Sequence, residues 1–219
     1  MNLFGKKIVF LGDSITEGHG VASIRNRFSD RIASMTGAIC ANYGIGGTRI
    51  AKQTKPSENP RWDLDFISRV DEMDSDADIV VVFGGTNDWG HGDAPFGDFA
   101  SRDPYTFYGA LHVLFASLVE KYPSAQFAII TPLHRANEMN PAEANGRRTN
   151  APETLKDYVE AIREVAEYYS LPVLDLYKTS GIQPQIPVMK EKYMPDALHP
   201  NDEGHRLLAN HIIKFLESL

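Results

Sequence analysis

Residues 79–85 read Ile-Val-Val-Val-Phe-Gly-Gly, the strongest run of β-branched and aromatic side chains in this 219-residue chain. A continuous apolar run, as opposed to an alternating one, is typical of a strand buried on both faces of a parallel sheet. The two glycines end the strand. Weaker runs of similar composition lie on either side of it and predict four more strands, at 8–11, 39–43, 127–130 and 173–176.

Longer amphipathic stretches separate these runs and predict helices. The clearest is the last one, in which Leu208, Ile212 and Phe215 recur at helical spacing. Asn201 precedes it as a candidate N-cap. The five candidate helices lie at 24–35, 64–73, 105–122, 152–169 and 202–219.

The alternation of strands and helices predicts an α/β fold with a five-stranded parallel sheet. No linker-like change in composition divides the chain, so we expect one domain over residues 1–219. Three longer loops are expected, at 48–63, 86–104 and 134–151. Loops of this length in a compact domain tend to be functional.

The composition excludes several classes of function. Twenty-two basic and 29 acidic residues give a net charge of −7, which is a poor match for nucleic acid or an anionic membrane surface. No stretch approaches the roughly 20 apolar residues of a membrane-spanning helix. A single cysteine excludes an internal disulfide and a cysteine-based zinc site. The N-terminal apolar run is shorter than a signal-peptide core, so a cytoplasmic location is expected unless a leader was removed.

Four polar segments are candidates for a site at the carboxyl edge of the sheet, where ligands bind in α/β folds. The first, residues 12–18, reads Gly-Asp-Ser-Ile-Thr-Glu-Gly and follows the first strand. It places the Ser14 hydroxyl at a tight turn, where it can serve as a nucleophile. An ordinary strand-to-helix turn is the alternative, because Gly, Asp and Ser all favour turns.

The second and third segments are rich in glycine and follow the second and third strands. Residues 42–49 read Asn-Tyr-Gly-Ile-Gly-Gly-Thr-Arg, which lets the backbone approach a ligand and direct N–H groups at it. A flexible loop is the alternative, and the third glycine of a dinucleotide fingerprint is missing. Residues 84–88 read Gly-Gly-Thr-Asn-Asp. There the Asn87 amide can donate to a developing oxyanion, or the segment forms an Asx-turn.

The fourth segment, residues 196–201, reads Asp-Ala-Leu-His-Pro-Asn and precedes the last helix. Asp196 lies three residues before His199, a spacing that can bring a carboxylate to the Nδ1–H of an imidazole and leave Nε2 free to act as a base. An incidental histidine in a helix-initiating turn is the alternative. Together the four segments supply a nucleophile, a base, an orienting acid and N–H donors, which acyl transfer requires.

The four segments resemble, in order, the motifs of the SGNH hydrolases, also called GDSL-type esterases and lipases. The residues that give this family its name match Ser14, Gly47, Asn87 and His199. The motifs extend from residue 12 to residue 201, so the resemblance covers nearly the whole chain. Ile15 stands where the GDSL name has leucine, a conservative apolar change. The resemblance implies a three-layer α/β/α sandwich around a five-stranded parallel sheet, with the flavodoxin-like architecture, and no cofactor.

The roles of the site residues follow from this resemblance. Ser14 attacks the acyl carbon, His199 takes its proton and returns it to the leaving group, and Asp196 orients His199. The backbone N–H groups of Ser14 and Gly47, together with the Asn87 side chain, form the oxyanion hole. Independently of the resemblance, four loop residues are candidate substrate contacts: Arg49, Trp89, His91 and His134. For Trp89, packing in the core is the alternative.

Other histidines are expected to be structural or solvated, His19 and His205 among them. His91 and Asp93 resemble a metal-binding pair only loosely, so no metal site is expected.

The expected function is that of a serine esterase that cleaves carboxylic esters through an acyl-enzyme. A short acyl chain is expected because no apolar lid helix or long apolar loop is evident, and an acetylated carbohydrate is the first candidate substrate. Lysophospholipase or thioesterase activity is the alternative within the class. In a different class, a flavodoxin-like module could bind FMN phosphate at the Ser14 and Thr16 hydroxyls without catalysis. The sequence does not indicate an oligomeric state.

Overall fold

The computed structural model describes residues 1–139 and 152–219. Its core is one parallel sheet in the order β2-β1-β3-β4-β5. The strands are β1 (Lys7–Gly12), β2 (Ile39–Gly44), β3 (Ile79–Phe83), β4 (Gln126–Ile130) and β5 (Val173–Leu174). The predicted five-stranded sheet is confirmed, and its order is the flavodoxin-like one. Only β5 is shorter than expected, because Leu176 already begins a helix.

Helices connect these strands on both sides of the sheet. They are α1 (Ser14–Glu17), α2 (Phe28–Thr36), α3 (Phe66–Arg69), α4 (Thr86–His91), α5 (Phe107–Lys121), α6 (Leu155–Tyr168), α7 (Leu176–Thr179), α8 (Pro187–Tyr193) and α9 (Asp202–Ser218). The predicted N-cap of the last helix is correct, since the Asn201 side chain accepts from the N–H groups of Glu203 and Gly204.

Two of the five predicted helices are broken in the structure. The segment predicted at 24–35 consists of a 3₁₀ turn, Ile24–Asn26, followed by α2. The segment predicted at 64–73 consists of α3 and a 3₁₀ turn, Val70–Glu72. The expected loop at 86–104 begins with α4, so that prediction is wrong at its start. Part of the expected loop at 134–151 lies outside the described residues.

The sheet separates two apolar cores, as a three-layer sandwich requires. Val80 and Val82 face one core, which is packed by α3, α4, α5 and α6. Ile79, Val81 and Phe83 face the other, which is packed by α2 and α9. Because both faces of β3 are buried, all five of its residues are apolar.

The carboxyl ends of β1, β2 and β3 meet at one edge of the sheet because the strands pair in parallel register. Gly12 pairs with Gly44 on one side and with Phe83 on the other. The three polar segments that follow these strands therefore start side by side. Within the described residues, no helix is long and apolar enough to cross a membrane.

Candidate active site

Ser14, His199 and Asp196 form one chain of hydrogen bonds. The Ser14 Oγ lies 3.0 Å from His199 Nε2, and His199 Nδ1 lies 2.7 Å from Asp196 Oδ2. Because the carboxylate can only accept, the Nδ1 atom donates, and Nε2 then accepts from the serine hydroxyl. The structure brings together the three residues that the sequence predicted, although 182 positions separate Ser14 from Asp196.

The turn before α9 holds His199 in place. Asp196 Oδ1 accepts from the backbone N–H groups of Leu198 and His199, at 2.9 and 2.7 Å. The intervening Ala197 has φ 59°, in the left-handed region that non-glycine residues avoid. Its backbone is fixed on both sides, since its N–H donates to Met194 and its C=O accepts from Ala136.

The electrostatic environment keeps the His199 ring neutral and the Asp196 carboxyl ionised. Burial is the largest single influence on the pKa of His199 and lowers it, whereas the neighbouring Asp196 raises it; the net pKa is lowered. His19 and Arg135 lower it further. Burial acts to raise the pKa of Asp196, but the hydrogen bonds from His199 and Leu198 outweigh it, so the pKa is lowered. A neutral imidazole beside a carboxylate is the form that can accept a proton from serine.

The residues predicted to donate N–H groups to an oxyanion, Ser14, Gly47 and Asn87, line one cleft. The first donor is Ser14's own backbone N–H, at the start of α1; the second is the N–H of Gly47. Within the described residues neither of them makes a hydrogen bond. The Asn87 Nδ2 donates to the Thr48 carbonyl at 3.0 Å, which fixes the amide while its second N–H is still available. These groups can stabilise an oxyanion.

The Gly46–Gly47 turn is packed between two side chains that the sequence analysis did not single out. The Gly46 N–H donates to Glu17 Oε2 at 2.7 Å, and Arg61 forms an ion pair with the same carboxylate. A Cβ on Gly47 would lie 2.1 Å from the Trp62 ring, and the residue has φ 78°. Both facts require glycine at position 47.

An open cleft of about 510 Å³ lies over these groups. Its described lining includes Ser14, Asn87 and His199, with Glu17, His19, Gly46, Gly47, Arg61, Trp62, His91 and Leu198 around them. Trp62 and Leu198 are the apolar side chains among these residues. Most of the other side chains in the described lining therefore carry polar groups.

Of the four predicted substrate contacts, only His91 lines this cleft. Arg49 is buried and lies behind His91, with its Nη1 3.1 Å from the His91 Nδ1. Since a guanidinium only donates, the His91 Nδ1 accepts in this contact. Arg49 also pairs with Asp63 at 2.7 Å, so it orients the cleft wall without lining it.

The predictions for Trp89 and His134 are not supported. Trp89 is fully buried in the core, because α4 turns its side chain inward, and Arg135 stacks on its ring at 4.9 Å. His134 is absent from the described cleft lining. It pairs with Glu138 at 2.9 Å and packs against Tyr177.

Two buried carboxyl groups lie beneath the site. Asp13 caps α1 by accepting from the Ile15 N–H at 3.0 Å, and burial raises its pKa to about 7. Asp88 accepts from the N–H groups of Ile50 and Ala51, and burial raises its pKa to about 6. Asp88 therefore ties α4 to the chain that follows the glycine turn.

Sequence reasoning missed the residues that form the cleft walls. The position of Glu17 could have been predicted from the sequence, because it lies three residues after Ser14 and therefore on the same face of the helix. His19 was expected to be structural or solvated, yet its ring centroid lies 4.2 Å from that of His199. Arg61 and Trp62 come from the predicted loop at 48–63 and carry no local signal.

Comparison with known proteins assigns the chain to a family. Residues 10–207 match the model of the GDSL-like lipase/acylhydrolase family. A protein of solved structure from Lactobacillus plantarum is 32% identical, with a TM-score of 0.83 and 98% coverage of both chains. No sequence among the curated proteins matches.

More distant solved structures share the fold. A lipase/acylhydrolase from Enterococcus faecalis is 24% identical, with a TM-score of 0.65 and coverage of 97% of this chain and 96% of its own. The acetyl xylan esterase AlAXEase is 21% identical, with a TM-score of 0.64 and coverage of 95% and 98%. The chain belongs to the GDSL-like lipase/acylhydrolase family.

Proposed function

We propose that the protein is a serine esterase that hydrolyses carboxylic esters through an acyl-enzyme. The observation that carries this proposal is the hydrogen-bond chain from Ser14 through His199 to Asp196, at 3.0 and 2.7 Å. It lies in a cleft with the Ser14 and Gly47 N–H groups, which have no partner among the described residues. Membership of an acylhydrolase family supports the same reaction class.

In the first half of the reaction, the Ser14 Oγ attacks the ester carbon while its proton passes to His199 Nε2. The carbonyl oxygen becomes an oxyanion, which the N–H groups of Ser14 and Gly47 and the Asn87 amide stabilise. When the intermediate collapses, the C–O bond to the alcohol breaks and His199 returns the proton to the departing oxygen. The acyl group stays on Ser14.

In the second half, water attacks the acyl-enzyme and gives its proton to His199 Nε2. The tetrahedral intermediate collapses, His199 reprotonates Ser14, and the carboxylic acid leaves. Asp196 stabilises the imidazolium that forms in each half. No cofactor is needed, because the protons and electron pairs balance within these groups.

The preferred substrate is an ester of a short acyl chain, with an acetylated carbohydrate as the first candidate. A long acyl chain would need an extended apolar wall, and Trp62 and Leu198 are the apolar side chains in the described lining. Glu17, Arg61 and His91 offer hydrogen bonds to hydroxyl groups, and Trp62 offers an aromatic face for a sugar ring. The related fold of an acetyl xylan esterase supports this choice.

The test compares the hydrolysis of p-nitrophenyl acetate, butyrate and octanoate by the wild type and by Ser14→Ala. We expect wild-type kcat/KM to fall with chain length and Ser14→Ala to lose at least about 10⁴-fold. A fluorophosphonate should label the wild type and leave Ser14→Ala unlabelled. Equal rates in both proteins would overturn the mechanism, whereas a preference for octanoate would overturn the short-chain assignment and favour a lysophospholipase.

A further inference from the structure

A group of three ionisable side chains lies at the rim of the cleft: His19, Asp196 and His199. Each offers a nitrogen or carboxylate oxygen, and these atoms all lie within 4.8 Å of one another. The two rings have centroids 4.2 Å apart and are tilted by 53°. His19 has no role in the proposed reaction, so its position next to the base needs a separate explanation.

The backbone after α1 is shaped to bring His19 to this point. It lies between Gly18 and Gly20, whose φ values of 97° and 96° fall in the left-handed region. A Cβ on Gly20 would lie 2.6 Å from the Pro200 carbonyl oxygen and 3.3 Å from the His199 Cβ. The glycine at 20 therefore lets this turn pack directly against the turn that carries His199.

We propose that His19, Asp196 and His199 form an inhibitory binding site for a divalent transition-metal ion, with zinc as the reference ion. Two imidazoles, one carboxylate and an open fourth position make a donor set that zinc binds, at about 2.0–2.2 Å from each atom. Ligand atoms of a tetrahedral site of that size lie about 3.3 Å apart. Because His19 and Asp196 are exposed, an ion can reach them and their side chains can close on it.

A bound ion and the proposed reaction exclude each other, since both use His199. An ion on Nδ1 replaces the hydrogen bond to Asp196 and leaves the ring proton on Nε2, facing Ser14. An ion on Nε2 takes the lone pair that accepts the serine proton and displaces the hydroxyl. In either case the ring can no longer act as a base. This inhibitory consequence rests on the proposed function, whereas the binding of the ion does not.

The donor set also predicts which ions inhibit. Zinc and its transition-metal neighbours bind imidazole well, while Mg²⁺ and Ca²⁺ prefer sites built only from oxygen. Magnesium at the same concentration should therefore leave the activity unchanged.

The first experiment measures binding without activity. Zinc chloride is titrated calorimetrically into Ser14→Ala, which keeps all three ligands, and into Ser14→Ala/His19→Gln. We expect one zinc ion per chain in the first protein and an affinity lower by about tenfold or more in the second. Equal affinities in the two proteins, or no binding to Ser14→Ala, would overturn the site.

The second experiment measures p-nitrophenyl acetate hydrolysis against zinc concentration, with each variant scaled to its own zinc-free rate. Wild type should lose activity and regain it with EDTA, and His19→Gln should need about tenfold more zinc. His91→Gln is the matched control, because it removes a histidine that lines the same cleft but is not one of the three proposed ligands, and it should keep wild-type sensitivity. If His19→Gln keeps wild-type sensitivity, the site is wrong. The two proposals can fail separately. If the wild type has no esterase activity but zinc binding still depends on His19, the metal site is supported and only the proposed function is overturned.

Discussion

The two sides of the cleft are built in different ways. The Ser14 side is formed by the ends of parallel strands, and Ser14 and Asn87 are almost fully buried, at 9% and 6% exposure. Arg69 is buried there and donates to the Gly12 carbonyl and to the Thr48 hydroxyl, at 3.2 and 3.0 Å. The His199 side is a turn before the last helix, and half of the Asp196 side chain is exposed.

This difference in construction predicts how each side of the cleft responds to amino-acid substitutions. On the Ser14 side the sheet fixes the backbone, and the Trp62 ring leaves no room for a side chain at Gly47. On the His199 side a few hydrogen bonds within one turn hold the ring, so its ionisation is set by neighbours that can be replaced individually. Substitutions should therefore abolish function on the first side and tune it on the second.

Among substitutions that leave the Ser14, His199 and Asp196 side chains in place, the largest effect is expected from Gly47→Ala. The new Cβ would overlap the Trp62 ring, and alanine is strained at φ 78°. Displacement of the Gly47 N–H should lower kcat/KM by about 10²–10³-fold. Steady-state hydrolysis of p-nitrophenyl acetate measures this, with circular dichroism as a check on the fold.

The double variant Gly47→Ala/Trp62→Ala separates the two causes. It removes the overlap and keeps the strain, so it should recover only part of the loss. Near-wild-type activity of Gly47→Ala would show that this side is less rigid than its packing indicates.

On the His199 side, Asp196→Asn should lower kcat/KM by about 10–100-fold. This loss is smaller than the one caused by the same substitution at a fully buried triad carboxylate. The carboxylate raises the pKa of His199, so its loss should move the acid limb of the pH–rate profile to lower pH. His19→Gln removes a group that lowers this pKa and should move the limb to higher pH.

In the wild type the limb should lie below the usual histidine pKa of about 6.5, because burial lowers the pKa of His199. The profile is measured as kcat/KM between pH 4.5 and 8. Shifts of the two variants in the same direction would contradict this account of the turn.

These two sides also differ in what could be predicted from sequence. The strands at the Ser14 side are predictable because burial on both faces requires continuous apolar runs, as in β3. The pairing of Asp196 with His199 is predictable because it is local. The approach of His19 to His199 is not, because it depends on tertiary packing between residues 180 positions apart.

The cleft walls show the same limit. Trp62 reaches Gly47 through a loop whose path has no periodic signal. Trp89 was a candidate substrate contact in a predicted loop, but the segment forms α4 and turns the ring into the core. Local patterns thus identify which residues can react, and long-range packing decides what surrounds them.

A third prediction concerns Asp13, whose carboxyl group is buried, whereas the carboxyl group of Asp196 is half exposed. Burial raises its pKa to about 7, so the folded state binds more protons than the unfolded state between pH 4 and 7. Stability from this group is therefore lost as the pH rises through that range. Asp13→Asn keeps an oxygen for the Ile15 N–H and should stabilise the fold by about 2 kcal/mol at pH 8.

At pH 4 the same substitution should have little effect, because Asp13 is then protonated in the folded protein. Urea unfolding at the two pH values measures the difference. An equal gain in the free energy of unfolding at pH 4 and at pH 8 would contradict the burial of an ionisable carboxyl group at position 13.

The fourth prediction tests how the Ser14 side holds its glycine turn. Glu17→Ala removes the acceptor of the Gly46 N–H and the partner of Arg61, and kcat should fall about tenfold. Glu17→Gln keeps an oxygen acceptor and should lose less. If KM rises while kcat is unchanged in both variants, Glu17 binds substrate and does not position the turn.

The smallest effect should come from Ala197→Gly, the counterpart of Gly47→Ala on the opposite side. Both positions have left-handed backbone, but only Ala197 carries a Cβ, at φ 59°. Glycine relieves the strain there and gains freedom in the unfolded chain, so the free energy of unfolding should change by less than about 1 kcal/mol. The hydrogen bonds of Asp196 to the Leu198 and His199 N–H groups remain, so kcat/KM should stay within about twofold of wild type. A large loss of activity with unchanged stability would mean that the strained alanine itself sets the position of His199, and that this turn is as rigid as the strand ends it faces.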